Sequence, residues 1–118
     1  MIMLTQTRSE FLTESLVETL NNSWYVDAIE SESTFWRKLF IFPGRKYISI
    51  KACDVTGKNG EYNSRSGGTI WMFVDRKTGE CYKPANLTTP AKGVRFQIDQ
   101  LSEYPEICDR FGGFLYIR

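Results

Sequence analysis

Residues 69–75, Thr-Ile-Trp-Met-Phe-Val-Asp, constrain the fold more than any other stretch of this chain. In an extended segment alternate side chains point to opposite faces, so Ile70, Met72 and Val74 fall on one side and Thr69, Trp71 and Phe73 on the other. Both sides are apolar. Such a strand belongs inside a sheet, and either both of its faces are covered or one presents aromatic rings to a partner.

The neighbouring segments extend the sheet. Phe35 to Phe42 is an aromatic and aliphatic run closed by Pro43-Gly44, a turn signal. Lys46 to Ala52 then alternates, with Ile48, Ile50 and Ala52 facing one way and Tyr47, Ser49 and Lys51 the other. Residues 56–68 hold four glycines and little apolar matter, which predicts a flexible loop between antiparallel strands. Lys77-Thr78-Gly79 predicts a tight turn into Glu80–Lys83, Val94 to Ile98 alternates again, and Phe114 to Ile117 reads as a last strand. Between the last two, Gln100 to Arg110 reads as a short helix.

The period changes at the N-terminus. Over residues 7–21 Leu12, Leu16 and Leu20 recur every four residues beside Phe11 and Val17, and Thr7 and Glu10 have capping-box spacing. An amphipathic helix is predicted there. Ser23 to Glu32 suits a second short helix, or a continuation past an Asn21-Asn22 break. The expected architecture is a single α+β domain over 1–118: an acidic helical segment, 1–33, packed on a basic antiparallel sheet of four to five short strands, 34–118. Connections this short favour hairpins over crossovers.

Several chemistries are excluded or weakened by what the chain lacks. It has no histidine, which removes the commonest general base and metal ligand, so no catalytic residue, metal or cofactor is expected. The three cysteines, Cys53, Cys81 and Cys108, form no CxxC pair, and their odd number without a signal peptide points to reduced, intracellular thiols. No segment is long and apolar enough to predict membrane insertion. Lys77-Thr78-Gly79 matches a β-lactamase box, but no Ser-x-x-Lys precedes it, and it reads as a turn. Asp75 and Glu80 flank one hairpin, where the surrounding cations make a salt-bridged or solvated pair the simpler reading than catalysis.

Charge supplies the positive indication. The total is +1, yet residues 1–35 hold one basic against six acidic residues, residues 36–95 twelve against four, and residues 96–118 two against four. The sheet region is strongly basic. Arg45, Lys46, Lys51, Arg76, Lys77, Lys83, Lys92 and Arg95 supply cations, and Tyr47, Trp71, Phe73 and Tyr82 supply rings. Binders of single-stranded nucleic acid and of nucleotides combine these two elements. The residues expected to carry binding are Arg45, Lys51, Trp71, Phe73, Arg76, Lys83, Lys92 and Arg95. The competing reading makes Trp71 and Phe73 core and the lysines solvated hairpin ends. A third makes the acidic helices of one copy meet the basic sheet of another, giving a homo-oligomer.

Two blocks carry a resemblance. Phe73-Val74-Asp75-Arg76-Lys77-Thr78-Gly79-Glu80-Cys81-Tyr82-Lys83-Pro84-Ala85 and Pro90-Ala91-Lys92-Gly93-Val94-Arg95-Phe96 resemble a family of small accessory proteins of tailed phages, including phages of marine cyanobacteria. The resemblance covers roughly residues 44–118, with Gly112-Gly113-Phe114-Leu115-Tyr116 at its end. Asn86-Leu87-Thr88-Thr89 replaces the family's Ser-Trp or Ser-Phe-Lys-Ala. What the resemblance implies is a setting, a phage protein acting in a bacterial cytoplasm, and no mechanism. Small phage proteins of this kind bind or inhibit host factors, bind nucleic acid, or sequester nucleotide signals. The leading expectation is therefore a non-enzymatic protein that binds a nucleotide or short single strand, and the alternative is a module that binds a host protein.

Overall fold

The computed structural model describes residues 7–56, 61–62, 68–86 and 88–116. Its N-terminal half is organised by one helix, α1, Arg8–Glu30, which the side-chain oxygen of Thr7 caps by accepting the Glu10 N–H at 3.1 Å. Glu10 returns a bond to the Thr7 N–H, completing the capping box that the spacing predicted. The expected break at Asn21-Asn22 does not occur. Leu16, Leu20, Trp24 and Ala28 continue a single buried stripe straight through it, and Asn21 turns its amide onto a distant strand instead of its own backbone. The helix ends where Glu32 adopts a left-handed φ of 56° and the Ser33 N–H reaches the Ala28 carbonyl at 2.8 Å.

The sheet is antiparallel throughout and comprises β1 (Phe35–Pro43), β2 (Tyr47–Thr56), β3 (Glu61–Tyr62), β4 (Thr69–Asp75), β5 (Glu80–Tyr82) and β6 (Phe96–Gln97). Its order is β1-β2-β4-β5-β6, with the two-residue β3 paired to the end of β2. The α+β reading therefore holds, with both helices contributing to the core on one face of the sheet. Part of the stretch predicted as a loop is β3; the remainder of that loop, 57–60 and 63–67, lies outside the described residues.

Four expectations need correction beyond the helix break. The strand predicted over Val94 to Ile98 shortens to Phe96–Gln97, because Ile98 opens a second helix, α2, Ile98–Glu103. That helix stops early. Tyr104 precedes Pro105, whose ring drives it out of the helical region to φ −123° and ψ 66°, and only a 3-10 turn, Pro105–Ile107, follows. The last strand, predicted over Phe114 to Ile117, is instead a 3-10 turn at Gly113–Leu115, with Ile117 outside the described residues. Asp109 causes the curl: its carboxylate accepts the N–H groups of Phe111, Gly113 and Phe114, each at 2.9 Å.

The fourth correction concerns β4 itself. Ile50 pairs with Met72 and Lys51 with Ile70, so Trp71 is the extra residue of a β-bulge. Simple alternation fails there. Trp71 and Met72 both enter the core beneath α1, with Trp71 edge-on to Trp24 at 6.1 Å and tilted against Phe114 at 5.2 Å. Its indole N–H donates to the Asp109 carbonyl at 3.0 Å, so the ring is buried without an orphaned donor. Around it pack Leu16, Leu20, Ile48, Ile50, Val74, Ile98, Leu101 and Leu115.

Candidate anion-binding cleft

Two tight turns meet at one end of the sheet. Between β1 and β2 the Gly44 N–H closes on the Tyr47 carbonyl at 2.8 Å, and any Cβ at Gly44 would stand 2.7 Å from that oxygen. Only glycine fits this approach. Between β4 and β5 the Asp75 carboxylate accepts the N–H groups of Lys77 at 2.8 Å and Thr78 at 3.0 Å, and Gly79 closes the turn at φ 76°. The Arg76 N–H joins the two turns by donating to the Lys46 carbonyl at 3.0 Å.

These turns project Arg45, Lys46 and Lys77 around a cleft of 280 Å³ whose fourth lining residue is Asp75. Its electrostatics are one-sided. Asp75 is 8% exposed, and burial works to raise its pKa; the N–H groups of Thr78 and Lys77 and the Lys46 charge outweigh that and hold the carboxyl below its ordinary value. The carboxylate is thus committed to its own turn, and three exposed cations face the cleft beside it. Glu80 does not join Asp75, since its carboxylate accepts the hydroxyls of Thr78 and Tyr82, each at 3.1 Å. Burial, followed by the Glu80 carboxylate, pushes the Tyr82 phenol up to about 12, so it stays protonated as a donor.

The predicted binding residues divide into three groups. Arg45 lines the cleft. Arg76, expected to bind ligand, is a structural clamp: its guanidinium donates to the Gly44 carbonyl at 2.7 Å and to Glu10 at 2.6 Å, tying both turns to the start of α1. That contact holds the Glu10 carboxyl below its ordinary range against the opposing effect of burial. Lys83, Lys92 and Arg95 do not line the cleft: Lys83 stands over the Tyr116 ring at 4.8 Å, Lys92 is exposed beyond the Pro84–Pro90 bridge, and Arg95 is half-buried with its backbone N–H on the Cys81 carbonyl.

The two aromatic predictions also part company. Trp71, at 3% exposed and enclosed by Trp24 and Phe114, offers no ring face to a ligand. Phe73 lies on the opposite, outer face, but it too is 3% exposed, walled in by Tyr47 at 6.1 Å. Tyr82 packs edge-on against Tyr47 in turn. The accessible rings of that face are others: Phe42, 46% exposed and topped by Lys51 at 5.0 Å, Phe40 beneath Lys38 at 5.3 Å, and Tyr47 beneath Lys46 at 5.3 Å. Lys51 is therefore on the outer face. Lys46 belongs to both regions, joining the cleft to the nearest ring.

Sequence reasoning ranked Lys46 and Lys77 below Arg45 and Arg76, yet they line the cleft. The available signal was their position: each stands at a turn defined by a glycine, where a side chain has no ladder neighbour to cover it.

Other chemistry is sparse among the described residues. No group of three or more cysteine, aspartate or glutamate side chains is arranged to hold a metal ion. Burial raises the Cys81 thiol, and burial with the Asp109 and Glu106 charges pushes Cys108 up to about 12, which disfavours both thiolates. No described helix is long and apolar enough to cross a membrane.

A family model described as a family of unknown function, DUF7717, matches residues 3–117. No curated protein and no solved structure matches the chain.

Proposed function

Since the chain belongs to the DUF7717 family, whose function is unknown, its role has to be read from its own surface, and we propose that it is a non-enzymatic protein that binds an anionic ligand, a nucleotide or short single strand, at the Arg45–Lys46–Lys77 cleft. The observation that carries this reading is the imbalance of that cleft, three cations beside one carboxylate already engaged by backbone N–H groups. A phosphate would enter among Arg45, Lys46 and Lys77. A base would then stack on the outer face at Tyr47 or Phe42 rather than at Trp71, which lies in the core. The near-zero total charge limits long-range attraction, since fields of opposite sign are screened beyond about 8 Å at physiological salt. That favours a short, locally held ligand. The proposed setting is that of a tailed-phage accessory protein in a bacterial cytoplasm, supported by the residue blocks at 73–85 and 90–96.

The test is titration with single-stranded DNA, RNA and cyclic nucleotides over a range of salt concentrations. Binding that weakens as salt rises supports the reading, and no binding to any of them at low salt overturns it. The double variant Arg45→Ala, Lys77→Ala should weaken binding about tenfold or more and reduce the salt slope by roughly one for each of the two cations that meets a phosphate.

One observation favours a second reading, a module that binds a host protein. A larger cleft of 480 Å³, lined by Tyr25, Ala28, Ile29, Ser33, Thr34, Trp36 and Thr56, opens beside the end of α1. Ile29 and the neighbouring Phe35 are 56% and 53% exposed there. A partner captured from host lysate that survives nuclease treatment and moderate salt, and fails to bind Ile29→Asp, would move the function to that cleft.

A further inference from the structure

Strand β1 ends the sheet on one side, and its outer edge is the longest that the sheet presents. Eight of its nine residues, Phe-Trp-Arg-Lys-Leu-Phe-Ile-Phe, combine high strand propensity with no proline before Pro43. Segments of six or seven residues with this composition are strong templates for pairing with another strand. The sequence alone gives two restraints, the charges of Arg37 and Lys38. The structure adds a third, on the backbone itself.

Asn21, in the middle of α1, reaches across to the centre of β1. Its Oδ1 accepts the Leu39 N–H at 2.8 Å and its Nδ2 donates to the Leu39 carbonyl at 3.1 Å. A single side-chain amide thus makes the two bonds that a residue of an incoming strand would make in an antiparallel pair. Leu39 faces Ala52 across the ladder with these groups pointing away from β2, so by alternation the groups of Arg37 and Ile41 point outward as well. At the ends, the Ser33 hydroxyl takes the Phe35 carbonyl and Pro43 has no N–H to offer.

We propose that the outer edge of β1 is a latent pairing surface that fits the β1 edge of a second copy of this chain, and that Asn21 keeps it closed. The fit is a two-fold antiparallel pairing centred on Leu39. In that register Arg37 lies opposite the second copy's Ile41 and Lys38 opposite its Phe40, so no like charges face each other and each cation meets an apolar or aromatic side chain. The two copies of Lys38 meet only as a diagonal pair, so charge opposes this pairing less than a directly facing pair would. Asn21 occupies its central pair of bonds.

The experiment is sedimentation over a wide concentration series, with circular dichroism to report folding. Relative to the wild-type chain, Asn21→Ala should show an added association step, with weight-average mass rising toward twice the wild-type value. Placing Arg37→Pro in the same chain should abolish that step, because it removes an outward N–H while leaving the β1–β2 bonds in place. A folded Asn21→Ala that sediments as the wild-type chain does would overturn the proposal, as would an added step that persists undiminished with Arg37→Pro. If Asn21→Ala precipitates, recovered solubility in the double variant supports the proposal and an equally insoluble double variant overturns it.

Discussion

The two faces of the sheet use aromatic residues in opposite ways. On the inner face Trp71 is packed against Trp24 and Phe114 and has its only polar atom matched to a carbonyl. On the outer face Phe40, Phe42 and Tyr47 each sit beneath a lysine ammonium, half in water. The first arrangement stabilises the fold through removal of area from water and close packing. The second stabilises it little, since exposed cation–π pairs contribute roughly 0.5–1 kcal/mol each, but it leaves charge and ring available together. A ring's contribution thus depends on which face the backbone gives it, more than on its type.

Truncation is the most direct way to break this comparison. Trp71→Ala should destabilise the chain by about 3–5 kcal/mol in urea titration, whereas Phe42→Ala should cost about 1 kcal/mol or less. Equal losses would mean that the two faces are energetically alike. At the sheet end the contrast is between neighbouring cations. Arg76→Ala should cost about 1–3 kcal/mol, because it frees the Gly44 carbonyl and removes the counter-charge of the partly buried Glu10. Arg45→Ala should change stability by about 0.5 kcal/mol or less while weakening anion binding.

The smallest expected effect is the dependence on pH. Glu10 and Asp75 are both held below their ordinary values of 4.5 and 3.8, so the unfolded chain binds more protons than the folded one in that range. Their contribution is present in full above pH 4.5 and is lost as pH falls below 3.8 through the folded values. Asp75→Asn and Glu10→Gln should each flatten the acid limb of a stability profile. Tyr82 acts at the other extreme: its contribution is complete below its ordinary value of 10.0 and disappears as pH climbs to about 12. Phenolate absorbance should show one late-titrating tyrosine fewer in Tyr82→Phe.

Most of the architecture was legible because it depends on local period. The repeat of Leu12, Leu16 and Leu20 and the alternation of Ile48 and Ile50 are visible in one dimension, and both meet in the core. What was misread depends on partners remote in sequence. Asn21 looked like a helix breaker because its partner, Leu39, is eighteen positions away. The bulge at Trp71 is a property of the β2–β4 register and has no signature within β4. The cleft was partly legible, since charged residues at glycine turns are exposed for local reasons, whereas the clamp role of Arg76 depends on Glu10, sixty-six positions away.

The bulge has one further consequence. Trp71 takes no part in the pairing of β2 with β4, because Ile70 and Met72 match consecutive residues of β2 on either side of it. The chain therefore carries this residue for its side chain, an indole inserted between two rungs. Its truncation would leave every rung in place around a ring-shaped void walled by Trp24 and Phe114 and topped by the Asp109 carbonyl, an acceptor aimed at the missing N–H. Voids lined by apolar side chains take up small aromatic molecules from solution. Free indole should dissolve into this one and return part of the lost stability to Trp71→Ala.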